Sequence, residues 1–369
     1  MSEPTTRALS VGVLGAAGTI APAILADLAD SEEVASVLAL DIDAERVAAA
    51  AAAYGGPKTT ARAADARSGL AEALAGLDVL INTASYRINL DAMAACLQAG
   101  CDYIDLGGLY HVTLEQLELS DSFERAGRLA LLGMGSSPGK TNLMAARAVA
   151  ELDTVETIEI VAGGRDFAPR GPFSPPYALQ TLLDEVTLAP VVLREGRPVE
   201  IEPLTSGGSV DFGEPIGVAD TVYTLHSELV SFGDSFGAGE CTFRLSLAPP
   251  VEQRLRELVG STAQEIADAQ RAAALPSDQT VSVHLIEARG AGRSVRVRSV
   301  TSPHEPFGLG GSIVSTAAPA VAAVRLLARG RIGAIGAQFP ERCIAPDDLF
   351  AEVAKRSCEI TVEVGELAA

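Results

Sequence analysis

The chain has 369 residues, enough for two domains, and 48% of them are hydrophobic, so a sizeable core is expected. Its 28 basic and 48 acidic residues give a formal net charge of −20, which argues against nucleic acids and anionic membranes as partners. The 5 cysteines are an odd number without a C-x-x-C pair. This disfavours structural zinc and a disulfide framework, predicts no metal site, and fits a reducing, cytoplasmic location.

The segment from residue 8 to residue 28 predicts a strand, a tight turn and a helix. An apolar run over residues 8–14 meets a glycine-rich turn, after which apolar residues recur at helical spacing. Gly15 allows the turn, Gly18 leaves room for a pyrophosphate, and the helix start binds the phosphates. Ala16 replaces the middle glycine of the G-x-G-x-x-G pattern. The residues of this turn predicted to bind the cofactor are Gly15, Ala16, Ala17, Gly18, Thr19 and Ile20.

A second predicted strand, residues 34–40, ends in Asp41, roughly 20 residues after the glycines. A carboxylate at that point accepts hydrogen bonds from the adenosine ribose and repels a 2′-phosphate, which favours NAD while leaving NADP possible. The alternative is that Asp41 and Asp43 merely cap the helix predicted over Ala44–Tyr54. Asp43 directly precedes that helix and is the expected N-cap.

Strands and helices then alternate every 20 to 30 residues, which indicates parallel βαβ units. The predicted elements include strands at 61–64, 78–82, 102–106 and 128–132 and helices at 68–75, 89–99 and 114–126. Asn82, Thr83 and Ala84 follow a buried strand at the edge where open α/β sheets bind ligands, so they are predicted to contact the cofactor. Asp65 is predicted to lie near the adenine, with a surface loop as the alternative.

The N-terminal segment also has features of a signal peptide, because Arg7 precedes an apolar stretch. Removing that segment would delete the glycine turn, so secretion is not expected. No other uninterrupted apolar run reaches the roughly 20 residues of a membrane span.

A second glycine-rich turn, residues 133–142, again joins a strand to a helix predicted over 143–152. The N–H groups at that helix start would suit a carboxylate, and Lys140 would add a positive charge. Asn142 is therefore a candidate substrate ligand. The alternative is a tight domain-crossing loop, with Asn142 as a helix cap and Lys140 in solvent.

From about residue 153 the alternation of parallel units ends. Alternating strands are predicted over 155–162, 279–288 and 294–299, separated by a Pro/Gly-rich stretch over 163–239, and apolar helices over 312–329 and 346–355. The fold class is therefore α/β: a Rossmann-type parallel sheet domain and a second α+β domain with a mixed sheet. The predicted boundaries are 1–152, 153–305, and 306–369 as a segment that returns to the first domain.

The order of these motifs resembles the saccharopine dehydrogenase-like family. The shared features are the glycine turn, the D-x-D after the second strand, DVLIN at 78–82, YIDL at 103–106 and SPGKTN at 137–142. LHSE at 225–228 and QFPE at 338–341 look closest to the lysine ε-dehydrogenase branch. The resemblance implies a homodimer that oxidises or reduces a carbon–nitrogen bond of an amino acid or opine with a nicotinamide cofactor.

Such chemistry needs a proton acceptor and groups that hold the substrate. Asp105, at a predicted strand end, is a candidate base or ammonium anchor, or else a turn cap. His226 suits proton transfer near neutral pH, and Glu228, two residues on, would face the same side of a strand, although a lone histidine is often structural. Lys140 is a third catalytic candidate. Arg165 is a candidate ligand for a distal carboxylate, unless it pairs with its neighbour Asp166.

Three functions remain open. The first is an NAD(P)-dependent dehydrogenase of amino acids or opines. The second is a reductase of another bond within the same family, an enoyl group or a polyamine-forming imine. The third is a cofactor-binding sensor without catalysis.

Overall fold

The computed structural model describes residues 7–366. The chain divides into two compact units. The first unit comprises the residues up to Lys140 together with Thr316–Val353, and the second comprises Thr141–Ser315 together with the residues from Ala354 onward.

The first unit is built on a seven-stranded sheet in which every neighbouring pair is parallel. Its strands are β1 (Leu9–Leu14), β2 (Val34–Asp41), β3 (Thr59–Ala63), β4 (Val79–Asn82), β5 (Asp102–Asp105), β6 (Leu129–Leu131) and β15 (Gly336–Gln338). They run in the order β15-β6-β5-β4-β1-β2-β3. The central strands are buried on both faces, as expected where helices cover both sides of a parallel sheet. This is the predicted Rossmann-type sheet.

Helices connect or follow these strands, and α2 and α4 begin and end where the sequence predicted. They are α1 (Ala21–Asp30), α2 (Ala44–Tyr54), α3 (Leu70–Ala73), α4 (Asn89–Ala99), α5 (Leu109–Leu117), α6 (Ser120–Ala126), α13 (Pro340–Cys343) and α14 (Pro346–Ala354). The N-cap prediction for Asp43 is confirmed, because its Oδ1 accepts the N–H groups of Glu45 and Arg46 at 3.1 and 3.0 Å. The single helix predicted over 114–126 was wrong. The N–H of Glu118 donates to the carbonyl of Glu115, three residues back instead of four, and α5 ends there. A separate helix, α6, begins at Ser120.

The second unit contains a nine-stranded mixed sheet. Its strands are β7 (Thr157–Asp166), β8 (Val191–Arg194), β9 (Arg197–Glu200), β10 (Ser206–Asp211), β11 (Val218–Tyr223), β12 (Glu240–Ser246), β13 (Thr280–Gly290), β14 (Arg293–Thr301) and β16 (Cys358–Glu366). The main order is β10-β11-β12-β7-β13-β14-β16, with β8 beside β12 and β9 beside β8. Only the β7–β12 pair is parallel among these described strands. The predicted fold class is confirmed.

The remaining helices are α7 (Lys140–Val149), α8 (Leu179–Thr187), α9 (Glu228–Phe236), α10 (Pro249–Leu258), α11 (Ala263–Ala272) and α12 (Gly311–Ala328). The stretch 163–239, described from the sequence as Pro/Gly-rich, holds two helices and four whole strands, and Glu228 begins α9 rather than sharing a strand with His226. Most of its prolines and glycines lie in the turns between short elements, so no single element is long enough to show a clear hydrophobic period in the sequence. Helix α12 is long and apolar enough to cross a membrane by composition alone, and 83% of that window is buried inside the protein, as for a core helix.

The division into units differs from the predicted boundaries in two places. Residues 141–152 group with the second unit, because α7 begins at Lys140 rather than at residue 143. The predicted return segment, 306–369, is itself divided. Thr316–Val353 lies in the first unit, whereas β16 pairs with β14 in the second sheet. Residues 1–6 and 367–369 of the predicted domains lie outside the described part of the chain.

Candidate functional site

The glycine turn of the first unit, residues 15–20, is predicted to bind the phosphates, and we call it the phosphate cradle. Gly15 has a φ of 81°, and a Cβ there would lie 2.6 Å from the backbone nitrogen of Ala84. Only glycine avoids both the strain and the clash. A Cβ on Gly18 would lie 3.1 Å from the Gly15 carbonyl oxygen, so the turn is closed tightly at both glycines.

Two backbone donors remain at the end of this turn. The N–H groups of Gly15 and Ala16 donate to the Leu40 carbonyl at 2.9 and 3.0 Å. Within residues 7–366, no acceptor pairs with the N–H groups of Thr19 and Ile20, and α1 starts immediately afterwards without a side-chain cap. Free N–H groups at the positive end of a helix suit phosphate oxygens, so the residues present fit a dinucleotide.

Asp41 closes the other side of the cradle. Its Oδ2 accepts the Ala17 N–H at 3.0 Å and its Oδ1 accepts the Asp43 N–H at 3.1 Å. A carboxylate oxygen can accept more than one hydrogen bond, so Asp41 retains capacity for ribose hydroxyls. The Arg46 guanidinium donates to the Ala17 carbonyl at 2.8 Å, which brings a positive charge to the same corner.

The other predicted cofactor ligands have different surroundings. The Thr83 hydroxyl donates to the carbonyl of Leu14 at 2.9 Å, which ties the end of β4 to the glycine turn. Asn82 is 1% exposed, and its Oδ1 accepts the Ala84 N–H at 3.1 Å, so it braces the loop from behind. Asp65 caps its own turn by accepting the Arg67 N–H at 2.9 Å. The adenine role of Asp65 stays a prediction.

Asp105 lies in a buried hydrogen-bond network at the end of β5. Its Oδ2 accepts from the amides of Gln116 at 2.6 Å and Asn89 at 3.3 Å. Its Oδ1 accepts the N–H groups of Gly133 at 2.7 Å and Gly107 at 2.9 Å. Burial raises the pKa of Asp105, and the hydrogen bonds from Gln116 and Gly133 oppose that rise. Protein donors thus occupy both oxygens of the carboxylate.

The second glycine-rich turn leads into α7. Lys140 is fully buried, and its N–H donates to the Gly135 carbonyl at 2.9 Å. The alternative that placed its side chain in solvent is excluded. Asn142 is 1% exposed and lies in the first turn of α7. Catalytic and substrate-binding roles for these two residues stay predictions.

His226, in the second unit, lies between two buried carboxylates. Its Nδ1 is 3.3 Å from Glu228 Oε2, and its Nε2 is 3.7 Å from Glu185 Oε2. The imidazole stacks on the ring of Phe243, with centroids 3.6 Å apart and the planes inclined by 15°. His226 is 6% exposed, so the imidazole and its two carboxylates share a water-poor environment.

The charges of this cluster set the protonation of the imidazole. Burial alone would lower the pKa of His226, but the carboxylates of Glu185 and Glu228 outweigh burial and raise the pKa to about 9. His226 is therefore protonated at neutral pH. Its Nε2 makes no hydrogen bond among the described residues and faces Glu185 Oε2 at 3.7 Å.

Two hydroxyl groups hold the carboxylates of the cluster. Thr141 donates to Glu228 Oε1 at 2.9 Å, and the Tyr177 hydroxyl donates to Glu185 Oε2. Burial and the Glu185 charge raise the pKa of Tyr177 well above its ordinary value, so the phenol stays protonated. The N–H of Leu225 donates to the Glu185 carbonyl at 2.9 Å and joins the end of α8 to the His226 segment.

The sequence prediction named only two members of this cluster, His226 and Glu228. It missed Tyr177 and Glu185, which come from a stretch read as irregular. A signal was available, because Glu185 follows Leu182 and Leu183 in a run of helical period and lies on the apolar side of α8. A buried carboxylate on an apolar helix face indicates a partner or a site.

Arg165 is placed elsewhere. It lies at the end of β7 in register with Val281, on the face of the sheet that carries Val161 and Phe212. Phe243, on which His226 stacks, is in register with Ile160 and belongs to the opposite face. The Arg165 guanidinium donates to the Gly164 carbonyl at 2.7 Å and to Ser246 Oγ at 3.0 Å. The structure therefore does not bring Arg165 together with His226.

Among residues 7–366, no group of three or more His, Cys, Asp or Glu side chains has an arrangement that could hold a metal ion.

Comparison with known proteins finds a family that matches part of the first unit. Residues 11–131 match the family described as saccharopine dehydrogenase NADP binding domain. This stretch is therefore similar to the cofactor-binding domain of saccharopine dehydrogenases. The match over residues 11–131 agrees with the predicted family and supports the predicted NAD(P) cofactor. The preference for NAD over NADP stays a prediction.

Two curated relatives match parts of the chain. A carboxyaminopropylagmatine dehydrogenase of Synechocystis sp. is 32% identical over 166 residues, which are 42% of this chain and 40% of that protein. A carboxynorspermidine synthase of Vibrio alginolyticus is 32% identical over 107 residues, 25% of this chain and 26% of that protein. The chain thus spans less than half the length of these two relatives.

The whole fold matches a solved structure. The apo saccharopine dehydrogenase (L-Glu forming) of Saccharomyces cerevisiae superposes with a TM-score of 0.73 at 14% identity, covering 97% of this chain and 100% of the other. At that identity the likeness concerns the fold. Neither this match nor the two curated relatives carry the name of a lysine ε-dehydrogenase, so the predicted branch stays a prediction.

Proposed function

We propose that this chain is an NAD(P)-dependent oxidoreductase acting on a carbon–nitrogen bond of a small amine derived from an amino acid. The observation that carries the proposal is the His226 cluster: an imidazole between Glu185 and Glu228, with the pKa of His226 raised to about 9. A bound nicotinamide would supply the hydride chemistry. The protein must supply the proton and the electrostatic environment for nitrogen.

The cluster is suited to a cationic substrate. Two carboxylates flank the single imidazole in a buried place, and this excess of acidic groups favours a cation and opposes an anion. Tyr177 and Thr141 hold Glu185 and Glu228 in fixed orientations, so little side-chain freedom is lost when an ammonium group binds. An apolar lipid substrate offers no charged group to interact with these side chains, which disfavours the enoyl reductase alternative.

The protonation state of His226 favours one direction at neutral pH. Reducing a C=N bond delivers a proton to nitrogen, and a protonated His226 can donate it from Nε2. Oxidising an amine needs an acceptor for a proton, which His226 becomes only as the pH rises through about 9. We therefore expect reduction near neutral pH and oxidation in alkaline solution.

Two substrate classes follow. The first is an amino acid or opine, as the motif order implies. The second is an imine that yields a carboxylated polyamine, which the names of the two curated relatives favour. Both classes are small molecules with a cationic nitrogen, and the test must separate them.

We also propose a cytoplasmic homodimer that takes only small molecules as substrates. All 5 cysteines are free thiols, which fits a reducing compartment.

The experiment is a panel assay that follows the absorbance of the reduced nicotinamide. One arm tests lysine and opines with NAD or NADP in alkaline solution. The other arm tests mixtures of an aldehyde and a diamine with NADH or NADPH at neutral pH. Turnover in either arm supports the proposal and selects the class, whereas tight binding of the cofactor without turnover in both arms would favour the non-catalytic sensor.

A further inference from the structure

A buried hydrogen-bond network joins the carboxyl ends of β4 and β5 in the first unit. We call it the Asp105 network, and its side chains are Asn82, Asn89, Tyr103, Asp105 and Gln116. Each of them is at most 1% exposed. Asp105 is the only charged member, and the others are amides and one phenol.

One branch of the network leads to the phosphate cradle. Asn89 donates to Asp105 Oδ2 at 3.3 Å and accepts from the Asn82 amide at 2.9 Å. Asn82 in turn accepts the N–H of Ala84. The backbone of Ala84 is the surface against which a Cβ on Gly15 would clash. The orientation of Asp105 is thus transmitted through two amides to the wall of the glycine turn.

The other branch holds two loops. Asp105 Oδ1 accepts from Gly107 and Gly133, and a Cβ on either glycine would lie within 3.0 Å of the Pro138 ring. The first loop continues into Leu109, which has a φ of 52°, a strained value for a residue other than glycine. Such a backbone persists only where its surroundings hold it.

We propose that Asp105 is a positioning residue, which fixes the cofactor-binding edge of the first unit rather than moving the substrate proton. Each carboxylate oxygen already accepts two protein hydrogen bonds, and proton transfer to either would break the bonds that hold a loop. The inference rests on the use of NAD(P) and is independent of the substrate class proposed above.

The test is the affinity for NADH and NADPH, followed by fluorescence titration without any substrate. In Asp105→Asn, one end of the side chain becomes an NH₂ group that faces two protein donors. We expect the dissociation constant to rise about tenfold, the change that accompanies the loss of a buried hydrogen bond. The pH profile of the remaining turnover should match that of the wild type.

Asp102→Asn is the matched control. Asp102 begins the same strand, is partly buried, and accepts the Leu129 N–H at 3.0 Å. Because it lies at the opposite end of β5 from the cradle, its substitution should lower the melting temperature without changing cofactor affinity. If both variants weaken binding equally, general destabilisation explains the result and the proposal is wrong.

A second variant keeps the test decisive if Asp105→Asn fails to fold. Gln116→Met removes the 2.6 Å donor to Asp105 with little change of volume and should weaken cofactor binding in the same direction. If instead both variants bind cofactor normally, and Asp105→Asn lowers turnover strongly and removes one limb from the pH profile of the residual activity, Asp105 is the catalytic base. Absent turnover in the wild type would refute the substrate proposal and leave this inference standing.

A separate observation in the second unit points to an interface. Strand β16 is an edge of the mixed sheet and, among the described strands, pairs only with β14. Val362 and Val364 on its outer part are 36% and 48% exposed. A nine-residue edge strand with an apolar row is a template for another strand.

The sequence of β16 is complementary to itself in the antiparallel register that pairs all nine of its residues. When Val362 lies opposite its own copy, Ile360 meets Val364 and Thr361 meets Glu363 across the pair. Moving the centre by one residue either way places Glu359 opposite Glu363, or Glu363 opposite its own copy. Like charges directly opposite each other are destabilising. We propose that β16 pairs with β16 of a second copy of this chain, centred on Val362.

The test is register-specific. Val362→Cys should form a disulfide-linked dimer under mild oxidation, because residues directly opposite have Cβ atoms about 4.5–5.5 Å apart. Thr361→Cys faces Glu363 of the other copy and should not. Sedimentation should show a dimer for the wild type, a weaker dimer for Val362→Glu, and no change for the control Val218→Glu, an exposed valine on β11. A monomeric wild type, or equal cross-linking by both cysteine variants, would overturn the proposal.

Discussion

The two buried polar clusters of this protein differ in how their carboxylates are used. In the first unit, four protein donors occupy both oxygens of Asp105, and no partner within its network carries a formal charge. In the second unit, Glu185 and Glu228 face the ionisable imidazole of His226, whose Nε2 has no hydrogen-bond partner within residues 7–366. The Asp105 carboxylate, whose oxygens are fully hydrogen-bonded, is suited to fixing the local structure. The His226 cluster, which contains a titratable imidazole, is suited to proton transfer.

The largest effect should come from the imidazole itself. His226→Gln removes the proposed proton donor and should lower kcat by about 10²–10⁴-fold, the usual contribution of general acid catalysis. Cofactor affinity should not change, because the phosphate cradle lies in the first unit. The exposed His111 is the matched control, and His111→Gln should keep wild-type kcat. An unchanged kcat in His226→Gln would show that the His226 cluster does not supply the proton.

The next effect concerns pH. A protonated donor is needed for reduction, so the rate should stay level below the pKa of His226 and fall as the pH rises through about 9. Glu228→Gln removes one of the charges that raise this pKa and should move the falling limb about one unit lower. Glu257→Gln, at an exposed pair with Arg254, should leave the limb in place. A limb that does not move in Glu228→Gln contradicts the role given to this carboxylate.

A smaller effect, on cofactor affinity, is expected at Asp41 and Arg46, where the adenosine ribose is predicted to bind. Asp41→Ala should weaken NAD binding by about tenfold, as expected for lost hydrogen bonds to a charged group, and should relax discrimination against NADP. Arg46→Ala should weaken NADP more than NAD, because a guanidinium favours a 2′-phosphate. Titration of each variant with both reduced cofactors measures this. A wild type that already prefers NADP would show that the Asp41 argument fails.

The smallest effect is expected at Arg165. Because the strand register places it on the opposite face of the sheet from Phe243, Arg165→Gln should change kcat/KM by less than about twofold, as for a substitution away from the site. A large rise in KM for a substrate with a distal carboxylate would show that Arg165 binds this carboxylate, as the sequence predicted, despite its position on the opposite face of the sheet.

Local patterns explain what the sequence could predict. Helix α2 has the predicted bounds, with Asp43 as its cap, because capping and helical period are properties of neighbouring residues. Gly100 ends α4 in the left-handed conformation, also as predicted. Strand β16 was missed, although its Ile360, Val362 and Val364 alternate with polar residues, because the preceding helix was taken as the last element.

The candidate site depended on contacts that are distant in sequence. Glu185 reaches His226 from 41 positions away, and no local pattern indicates that pairing. Asp105 could be recognised as a carboxylate at a strand end, but its donors come from α4, α5 and two loops. The face of the sheet on which Arg165 lies could be determined only from the register of β7 against β12. In each case the residue type was visible in the sequence, and its partners were not.

The most direct test is the pH dependence of the wild-type protein in both directions with its best substrate pair from the panel. If His226 is the proton donor, the rate of reduction is level near neutral pH and falls above about 9, while the rate of oxidation rises over the same interval. A limb near the ordinary histidine pKa of about 6.5 would contradict a protonated His226 held between two carboxylates as the proton donor of this reaction.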